Sequence, residues 1–201
     1  MKNIKQQQID SIYADIVNLK ESPLYAYRTQ HNYKPVIGEG DADSSIVFIG
    51  EAPGEKEALS ARPFCGASGK VLDKMLASIS LERSNVYITN IVNDRPPENR
   101  DPTPQEIALY SQFLDRLLDV IHPVVIATLG RFSMKFILDK YNVKEKDLPI
   151  SKLHGIEIPT KAPYGDIMVI PLYHPAVALY NPGIRKSLEA DFEILKKYMK
   201  R

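Results

Sequence analysis

Three polar side chains that could do chemistry stand at equivalent places in the sequence, each just after a short apolar segment. The sequence contains four such segments. Glu51 comes after the first, Asn90 after the second and His174 after the fourth. A carboxylate, an amide and an imidazole can together exchange hydrogen bonds and protons with a ligand. Because ligands of an open parallel sheet bind beyond the carboxyl ends of its strands, we expect the three groups to converge on one edge.

Each of these residues also has a purely structural alternative. Glu51 could accept backbone N–H groups in a tight turn, Asn90 could be a turn residue, and His174 could only hold the turn that follows it. The joint occurrence of all three favours a functional site over three unrelated turns. The other histidines are interpreted as structural: His31, His122 and His154.

A run of mostly small residues, Arg62–Gly69, precedes a predicted helix and could expose backbone N–H groups at its positive end. The run contains no Walker loop, and no dinucleotide-binding glycine fingerprint follows the first apolar segment. Phe64 is either a core residue or a platform on which a base stacks. Cys65 is interpreted as a small buried residue, because no motif places a base beside it.

The strands that would position these residues are predicted at four short apolar segments: Ile46–Ile49, Val86–Thr89, Val124–Ala127 and Ile167–Ile170. Their apolar residues are continuous and do not alternate with polar ones. This pattern indicates that both faces of each strand are covered, as in a parallel sheet between two layers of helices.

Helical patterns lie before, between and after these segments. The most clearly bounded helix begins after Thr103, with Pro104 in its first turn and Glu106 completing a capping box. The other stripes span Ile9–Leu19, Val71–Ile79, Phe132–Ile137 and Leu188–Tyr198. Residues 20–44 are predicted to form a long ordered loop. The alternation of elements predicts a three-layer α/β/α sandwich around a four-stranded, mainly parallel sheet, with residues 1–201 in a single domain.

Composition and charge limit the function classes. The chain has 201 residues, 44% of them hydrophobic, and its 26 Lys+Arg against 25 Asp+Glu give a formal net charge of +1. Any nucleic acid must therefore be held by a local patch. The single cysteine, Cys65, excludes a disulfide framework and a cysteine-ligated cluster within one chain. An N-terminus without an apolar core and the lack of a long apolar run predict a cytoplasmic monomer with no membrane association.

Five motifs occur in a fixed order along the chain: Gly50–Gly54, Arg62–Phe64, Tyr87–Asn90, Arg95–Pro104 and His174–Ala176. In order and spacing they resemble the family 4 uracil-DNA glycosylases, and Gly38–Gly40 and Lys152–Gly155 are also similar. The resemblance covers approximately Leu19 to the C-terminus. It implies a glycosylase-like fold and a base excision repair hydrolase, which releases uracil from single- or double-stranded DNA and leaves an abasic site.

The sequence departs from this family at the four cysteines that usually ligate an iron–sulfur cluster. The corresponding positions are Leu19, Ser22, Asp94 and Tyr110. Because none of these side chains is a thiolate, we expect a member without the cluster and without any other cofactor. Packing in this region could replace the cluster, with Asp94 pairing with Arg28 or with Arg95.

The resemblance also implies roles for the catalytic and uracil-binding residues. Phe64 would stack on a flipped-out uracil, and Asn90 would accept from its N3–H and donate to its O4. His174 would donate to O2 as the base departs. Glu51 would contact the uracil and would orient or polarise the attacking water.

Further residues would complete the pocket and contact DNA. The backbone around Ala52 and Gly54 would line the pocket. Leu179 and Tyr180 would form a wedge that enters the vacated base stack. The candidates for phosphate contact are Gly66, Ser68, Gly69 and Lys70.

Three alternatives remain at the level of sequence. A relative with a broadened range of deaminated bases, or one that traps the sugar covalently, would keep the fold. The trapping relatives carry a basic, histidine-containing loop, and no such insertion follows Arg62. A catalytically weak nucleic-acid-binding relative is the second alternative. A nucleotide hydrolase is the third, and the lack of clustered metal-binding carboxylates disfavours it.

Overall fold

The computed structural model describes residues 4–199 and contains one mixed β-sheet. Its strands are β1 (Glu39–Gly40), β2 (Ile46–Gly50), β3 (Tyr87–Asn90), β4 (Val125–Leu129), β5 (Ile158–Ala162) and β6 (Gly165–Leu172). Their order across the sheet is β1-β3-β2-β4-β6-β5. The central strands β3, β2, β4 and β6 are parallel, whereas β1 and β5 run antiparallel to their neighbours at the two edges.

The four central strands confirm the sequence prediction, but the predicted sheet of four strands is too small. The strand β1 was not predicted, because two residues form no pattern. The strand β5 was not predicted, because Pro159 and Lys161 interrupt its apolar pattern. A proline is tolerated there because β5 is an edge strand, where one backbone N–H can be absent without loss of a ladder hydrogen bond.

The sheet is accompanied by eight α-helices within the described residues. They are α1 (Ile4–Val17), α2 (Tyr25–Gln30), α3 (Glu55–Ser60), α4 (Ala67–Ser78), α5 (Pro104–Ile121), α6 (Arg131–Lys140), α7 (Ile150–Leu153) and α8 (Pro182–Leu195). The capping box of α5 is confirmed, because Thr103 Oγ1 accepts from the N–H of Glu106 at 3.2 Å and Glu106 Oε2 accepts from the N–H of Thr103 at 2.8 Å. The predicted loop over residues 20–44 contains α2 and β1.

Two apolar cores cover the two faces of the sheet. On β2, Val47 and Ile49 pack in a core with α1, α5 and α6, whereas Ile46 and Phe48 pack in a core with α4 and α8. Alternate residues of a strand point to opposite faces, so the continuous apolar segments serve both cores at once. This arrangement is the expected three-layer α/β/α sandwich. None of the helices in residues 4–199 is long and apolar enough to cross a membrane.

Candidate active site

A cavity of about 360 Å³ opens beyond the carboxyl ends of the central strands. It is lined by Ala52, Pro53, Gly54, Glu57, Phe64, Ser68, Asn90, Asn99, His174 and Ala176. Gly50 lies opposite Asn90 in the parallel register of β2 and β3, so these strands deliver their last residues to the same place. This first cavity thus collects most of the residues that the sequence analysis expected to bind uracil.

Glu51 lies in a second cavity of about 360 Å³. That cavity is lined by Glu51, Asp101, Leu129, Gly130, Arg131, Phe132, Ile150, Tyr173, His174, Val177 and Ile184. His174 lines both cavities, so its imidazole is a shared wall between them. The expected convergence of Glu51, Asn90 and His174 therefore takes the form of two adjoining cavities.

The amide of Asn90 is buried and incompletely bonded. Its side chain is almost fully enclosed at 2% exposure, and Oδ1 has no hydrogen-bond partner within residues 4–199. An unsatisfied buried acceptor of this kind costs about 1–3 kcal/mol. A Cβ at Gly50 would lie 2.4 Å from this oxygen and 2.7 Å from Cζ of Phe64, so only glycine leaves room for both groups.

Phe64 has a strained backbone that turns its ring toward the cavity. Its φ angle is +46°, which is costly for a bulky residue, on the order of 1–3 kcal/mol. A Cβ at Gly69 would lie 1.7 Å from the Phe64 carbonyl oxygen, so this glycine lets α4 approach the strained residue. The Phe64 and His174 rings lie with their centroids 5.8 Å apart.

Glu57, which the sequence analysis did not single out, holds the segment after Phe64. Its Oε1 accepts from the backbone N–H of Cys65 at 3.0 Å and of Gly66 at 2.8 Å. A carboxylate at the start of α4 is also stabilised by the helix dipole. The expected phosphate donor at Gly66 is therefore already bonded within the chain.

Of the remaining candidates for DNA contact, Gly69 is buried within α4 and packs against the backbone of Phe64, whereas the other four are accessible. Ser68 is half-buried and lines the first cavity, and Lys70 is exposed on α4. Leu179 and Tyr180 are 42% and 88% exposed. They stand just before α8, whose first turn is capped by Asn181 Oδ1 accepting from two backbone N–H groups at 3.0 and 3.2 Å. Both side chains are therefore exposed beside an ordered turn.

The tautomer of His174 follows from one hydrogen bond. Its Nδ1 accepts from the backbone N–H of Ala176 at 3.1 Å, which leaves the proton of a neutral imidazole on Nε2. Burial lowers the pKa of His174, so the ring is neutral at physiological pH. Gly130 has a φ of +100°, and a Cβ there would lie only 3.1 Å from that of His174. The site thus presents a fixed, uncharged N–H donor.

Glu51 has an unusual affinity for its proton. Burial is the first cause and the negative charge of Asp101 the second, and together they raise the pKa of Glu51 to about 7, against the opposing charge of Arg131. A carboxyl group with this pKa can exchange protons at neutral pH. Asp101 and Arg131 are further site residues that the sequence analysis did not identify.

A second histidine supports the segment that carries His174. His154 Nδ1 lies 2.8 Å from Oδ2 of Asp191, and its ring packs against Tyr173 with centroids 4.5 Å apart. A Cβ at Gly155 would lie 2.3 Å from Oδ1 of Asp191, so the glycine allows this pair to form. These contacts agree with the structural interpretation of His154.

The residues at the four positions that the resemblance assigns to the family's cluster do not fit an iron–sulfur group. Iron in such clusters is held by thiolates. Here the hydroxyl groups of Ser22 and Tyr110 are hydrogen-bonded to each other, and Leu19 is apolar. The carboxylate of Asp94 is paired with Arg28 at 2.9 Å. In the part of the chain that the structure describes, no group of three or more His, Cys, Asp or Glu residues could hold a metal ion.

Comparison with known proteins shows which family this chain is similar to. The profile of the uracil DNA glycosylase superfamily matches residues 37–197. The type-4 uracil-DNA glycosylase of Sulfurisphaera tokodaii is 44% identical over 94% of this chain and 83% of its own. That of Archaeoglobus fulgidus is 42% identical over 93% of this chain and 91% of its own, and that of Saccharolobus solfataricus is 43% identical over 94% and 85%.

Proposed function

Since the chain belongs to the uracil DNA glycosylase superfamily and, within it, to type 4, we propose that it hydrolyses the N-glycosidic bond of uracil in DNA. The products are free uracil and an abasic site, which makes the chain a base excision repair enzyme. Residues 1–201 act as one domain and as a monomer, on single- or double-stranded DNA. The observation that carries this proposal is the unpaired Asn90 Oδ1, in one cavity with the imidazole of His174.

Recognition of uracil begins with the amide of Asn90. Its free Oδ1 accepts from N3–H of the base, and its N–H donates to O4. Cytosine presents the opposite pattern at this edge, with an acceptor at N3 and an amino group at position 4. A buried mismatch of donors and acceptors is strongly disfavoured, so the amide selects uracil.

Departure of the base is assisted by His174. Cleavage of the glycosidic bond leaves negative charge on the uracil ring, and the Nε2–H of His174 donates to O2. The hydrogen bond from Ala176 fixes this donor before the reaction begins. Such a preorganised donor contributes about 3–4 kcal/mol in comparable anion-stabilising sites.

Water is activated on the other side of the imidazole. Glu51 in its ionised form accepts a proton from the water that attacks the sugar carbon as the bond to uracil breaks. Asp101 and Arg131 lie in the same cavity and adjust the charge of this carboxylate. The second cavity thus supplies the nucleophile and the first cavity holds the base.

The target base reaches the pocket by leaving the DNA stack. Phe64 stacks on the extruded uracil, and the backbone of Ala52 and Gly54 closes around it. Leu179 and Tyr180 occupy the gap in the duplex and stabilise the extruded state. Phosphate contacts come from Ser68 and Lys70 at the start of α4.

We also infer that the chain works without an iron–sulfur cluster or another metal. The support is chemical, because the family's four cluster positions carry no thiolate in this sequence. Purified protein is expected to be colourless and free of stoichiometric iron or zinc. Elemental analysis of protein made in iron-supplemented medium checks this expectation, and a brown preparation would contradict it.

The decisive experiment for the function is single-turnover incubation with a labelled oligonucleotide that holds one uracil, followed by alkaline cleavage of any abasic site. Cleavage is expected with uracil and not with cytosine or thymine at the same place. Glu51→Gln should abolish it, whereas the exposed control Glu21→Gln should not. Absence of cleavage at high enzyme concentration, with DNA binding retained, would favour a catalytically weak relative. Release of hypoxanthine or xanthine from otherwise identical oligonucleotides that hold those bases would identify the broadened specificity.

A further inference from the structure

Three distant parts of the sequence meet at the four positions where the family carries cysteines. Leu19 and Ser22 lie between α1 and α2, Asp94 lies after β3, and Tyr110 lies in α5. Ser22 Oγ and Tyr110 OH are 2.9 Å apart, and Tyr110 OH donates to Asp94 Oδ2 at 2.6 Å. Leu19 is buried in the same core as Tyr110.

The direction of these hydrogen bonds is fixed along the whole chain of contacts. The proton of Tyr110 goes to Asp94, so Ser22 Oγ must donate to the phenol oxygen. The Ser22 oxygen in turn accepts from the backbone N–H of Leu24 at 3.1 Å. A continuous series of donors therefore ends on the carboxylate, which is the kind of network in which each bond polarises the next.

Arg28 supplies the opposite charge and joins α1 to the network. Its Nη1 donates to Asp94 Oδ2 at 2.9 Å and to the carbonyl oxygen of Ile16 at 3.1 Å, and its Nη2 donates to that of Val17. A guanidinium at these last carbonyls of α1 is favourable for the helix dipole. The Arg28 and Asp94 side chains are 6% and 0% exposed, so the pair is stable only because its remaining polar atoms are bonded.

The chain segment that carries Asp94 reaches the first cavity through Arg95. This residue follows Asp94 in the chain and is also buried, and its Nε donates to Asn99 Oδ1 at 2.9 Å. Asn99 lines the cavity that we propose for uracil. Movement of Asp94 would therefore displace a wall of the pocket.

From this geometry we propose that Ser22, Arg28, Asp94 and Tyr110 form a metal-free polar anchor, which ties α1, α2 and α5 to the segment after β3 and positions the Asn99 side of the pocket. The anchor occupies the place of the family's cluster with hydrogen bonds and one ion pair. Its positioning role rests on the proposed function, but its role in stability does not.

Thermal melting tests the anchor. Tyr110→Phe removes one hydroxyl and leaves the ring, so the melting temperature should fall by about 3–10 °C, whereas the control Tyr13→Phe on α1 should stay within about 1 °C of wild type. Ser22→Ala is the milder variant and keeps the test valid if Tyr110→Phe does not fold. Because these residues share a hydrogen bond, the double variant should lose less than the sum of the single losses. Unchanged or additive melting temperatures would overturn the proposal.

Metal and activity measurements test the other two parts. Anaerobic incubation of wild-type protein with ferrous iron and sulfide should not raise the melting temperature, whereas a cluster bound to the folded state would raise it and overturn the metal-free assignment. Tyr110→Phe should lower the single-turnover excision rate about 10-fold at a temperature where the protein is folded, since a displaced pocket wall misplaces the base. A wild-type rate would overturn the positioning role. A wild-type enzyme that excises nothing would instead refute the proposed function and leave the melting results to decide on the anchor.

Discussion

The polar anchor and the first cavity are both buried and polar, but they differ in how their hydrogen bonds are completed. In the anchor, Asp94 accepts from Tyr110 and from Arg28, and each of these partners has a further contact. In the cavity, Asn90 Oδ1 has no partner within the described residues. A network whose polar groups are all hydrogen-bonded stabilises the fold. A buried group without a partner lowers stability but is free to hydrogen-bond a ligand.

Backbone strain follows the same division. Phe64 adopts a positive φ beside the cavity, and Glu57 and Gly69 are arranged to make that conformation possible. Strain of this kind persists only where the surrounding structure over-determines it. The anchor and the two cores provide the stability that the pocket lacks, so substitutions in the two regions should change different properties.

Among substitutions in the first cavity, the largest effect on function should come from the unpaired amide. Asn90→Asp replaces the donor to O4 by an acceptor, so uracil excision should fall about 10³-fold or more, and some activity on cytosine should appear because the carboxylate accepts from its amino group. Single-turnover assays on oligonucleotides that differ only in the target base measure both rates. If the variant removes uracil as fast as wild type, Asn90 does not read the base.

His174→Ala should have the next largest effect. Loss of one preorganised donor should lower the single-turnover rate by about 10²–10³-fold. Affinity for DNA with an abasic site should change much less, because most of it comes from phosphate contacts. The exposed His31→Ala is the matched control. If melting temperature and abasic-site affinity fall together with the rate, His174 serves mainly to hold its turn.

A smaller effect is expected on the pH dependence of excision, through Glu51 in the second cavity. Glu51 must be ionised to accept a proton and has a pKa of about 7, so excision should rise with pH through neutrality and then level off. Burial lowers the pKa of His174, so its ionisation lies on the acid side of neutrality. Asp101→Asn removes a negative charge that raises the pKa of Glu51, so the profile should move to lower pH. A profile that stays in place would exclude Asp101 as a determinant of this ionisation.

The smallest effect should be that of the wedge. Leu179→Ala should slow excision about 10-fold in duplex DNA, where the base must be unstacked, and change it little in single-stranded DNA. Parallel single-turnover assays on the two substrates provide the comparison. Equal losses on both would show that Leu179 contacts the pocket and does not act as a wedge.

The sequence was sufficient to predict the elements with strong local patterns. The four central strands and the capping box of α5 depend on apolar segments and on a fixed spacing of Thr103 and Glu106. The segments β1 and α2 were not predicted, because two and six residues are too few to form a pattern. The edge strand β5 was not predicted because Pro159 and Lys161, on its solvent face, interrupt the apolar pattern.

Tertiary contacts account for what the sequence left open at the site. Glu57 and Asp101 reach the cavities only through folding. Arg131 stands two residues after β4, so its place at the carboxyl end of a strand could have indicated it. The sequence allowed Asp94 to pair with Arg28 or Arg95, and the structure selects Arg28 because Arg95 bonds Asn99 instead. The motifs pointed to the pocket, and the folded chain places Asn90 in one cavity and Glu51 in the adjoining one.

The single-turnover excision rates of Asn90→Leu and Tyr110→Phe test most directly whether the first cavity serves uracil binding and the anchor serves stability. Both rates are measured side by side where melting curves show the two variants to be folded. Asn90→Leu removes the unsatisfied amide and should lose uracil excision by about 10³-fold without a lower melting temperature. Tyr110→Phe should melt about 3–10 °C lower and lose only about 10-fold in excision rate. Equal rate losses in the two variants, or an Asn90→Leu enzyme that still excises uracil, would contradict this account.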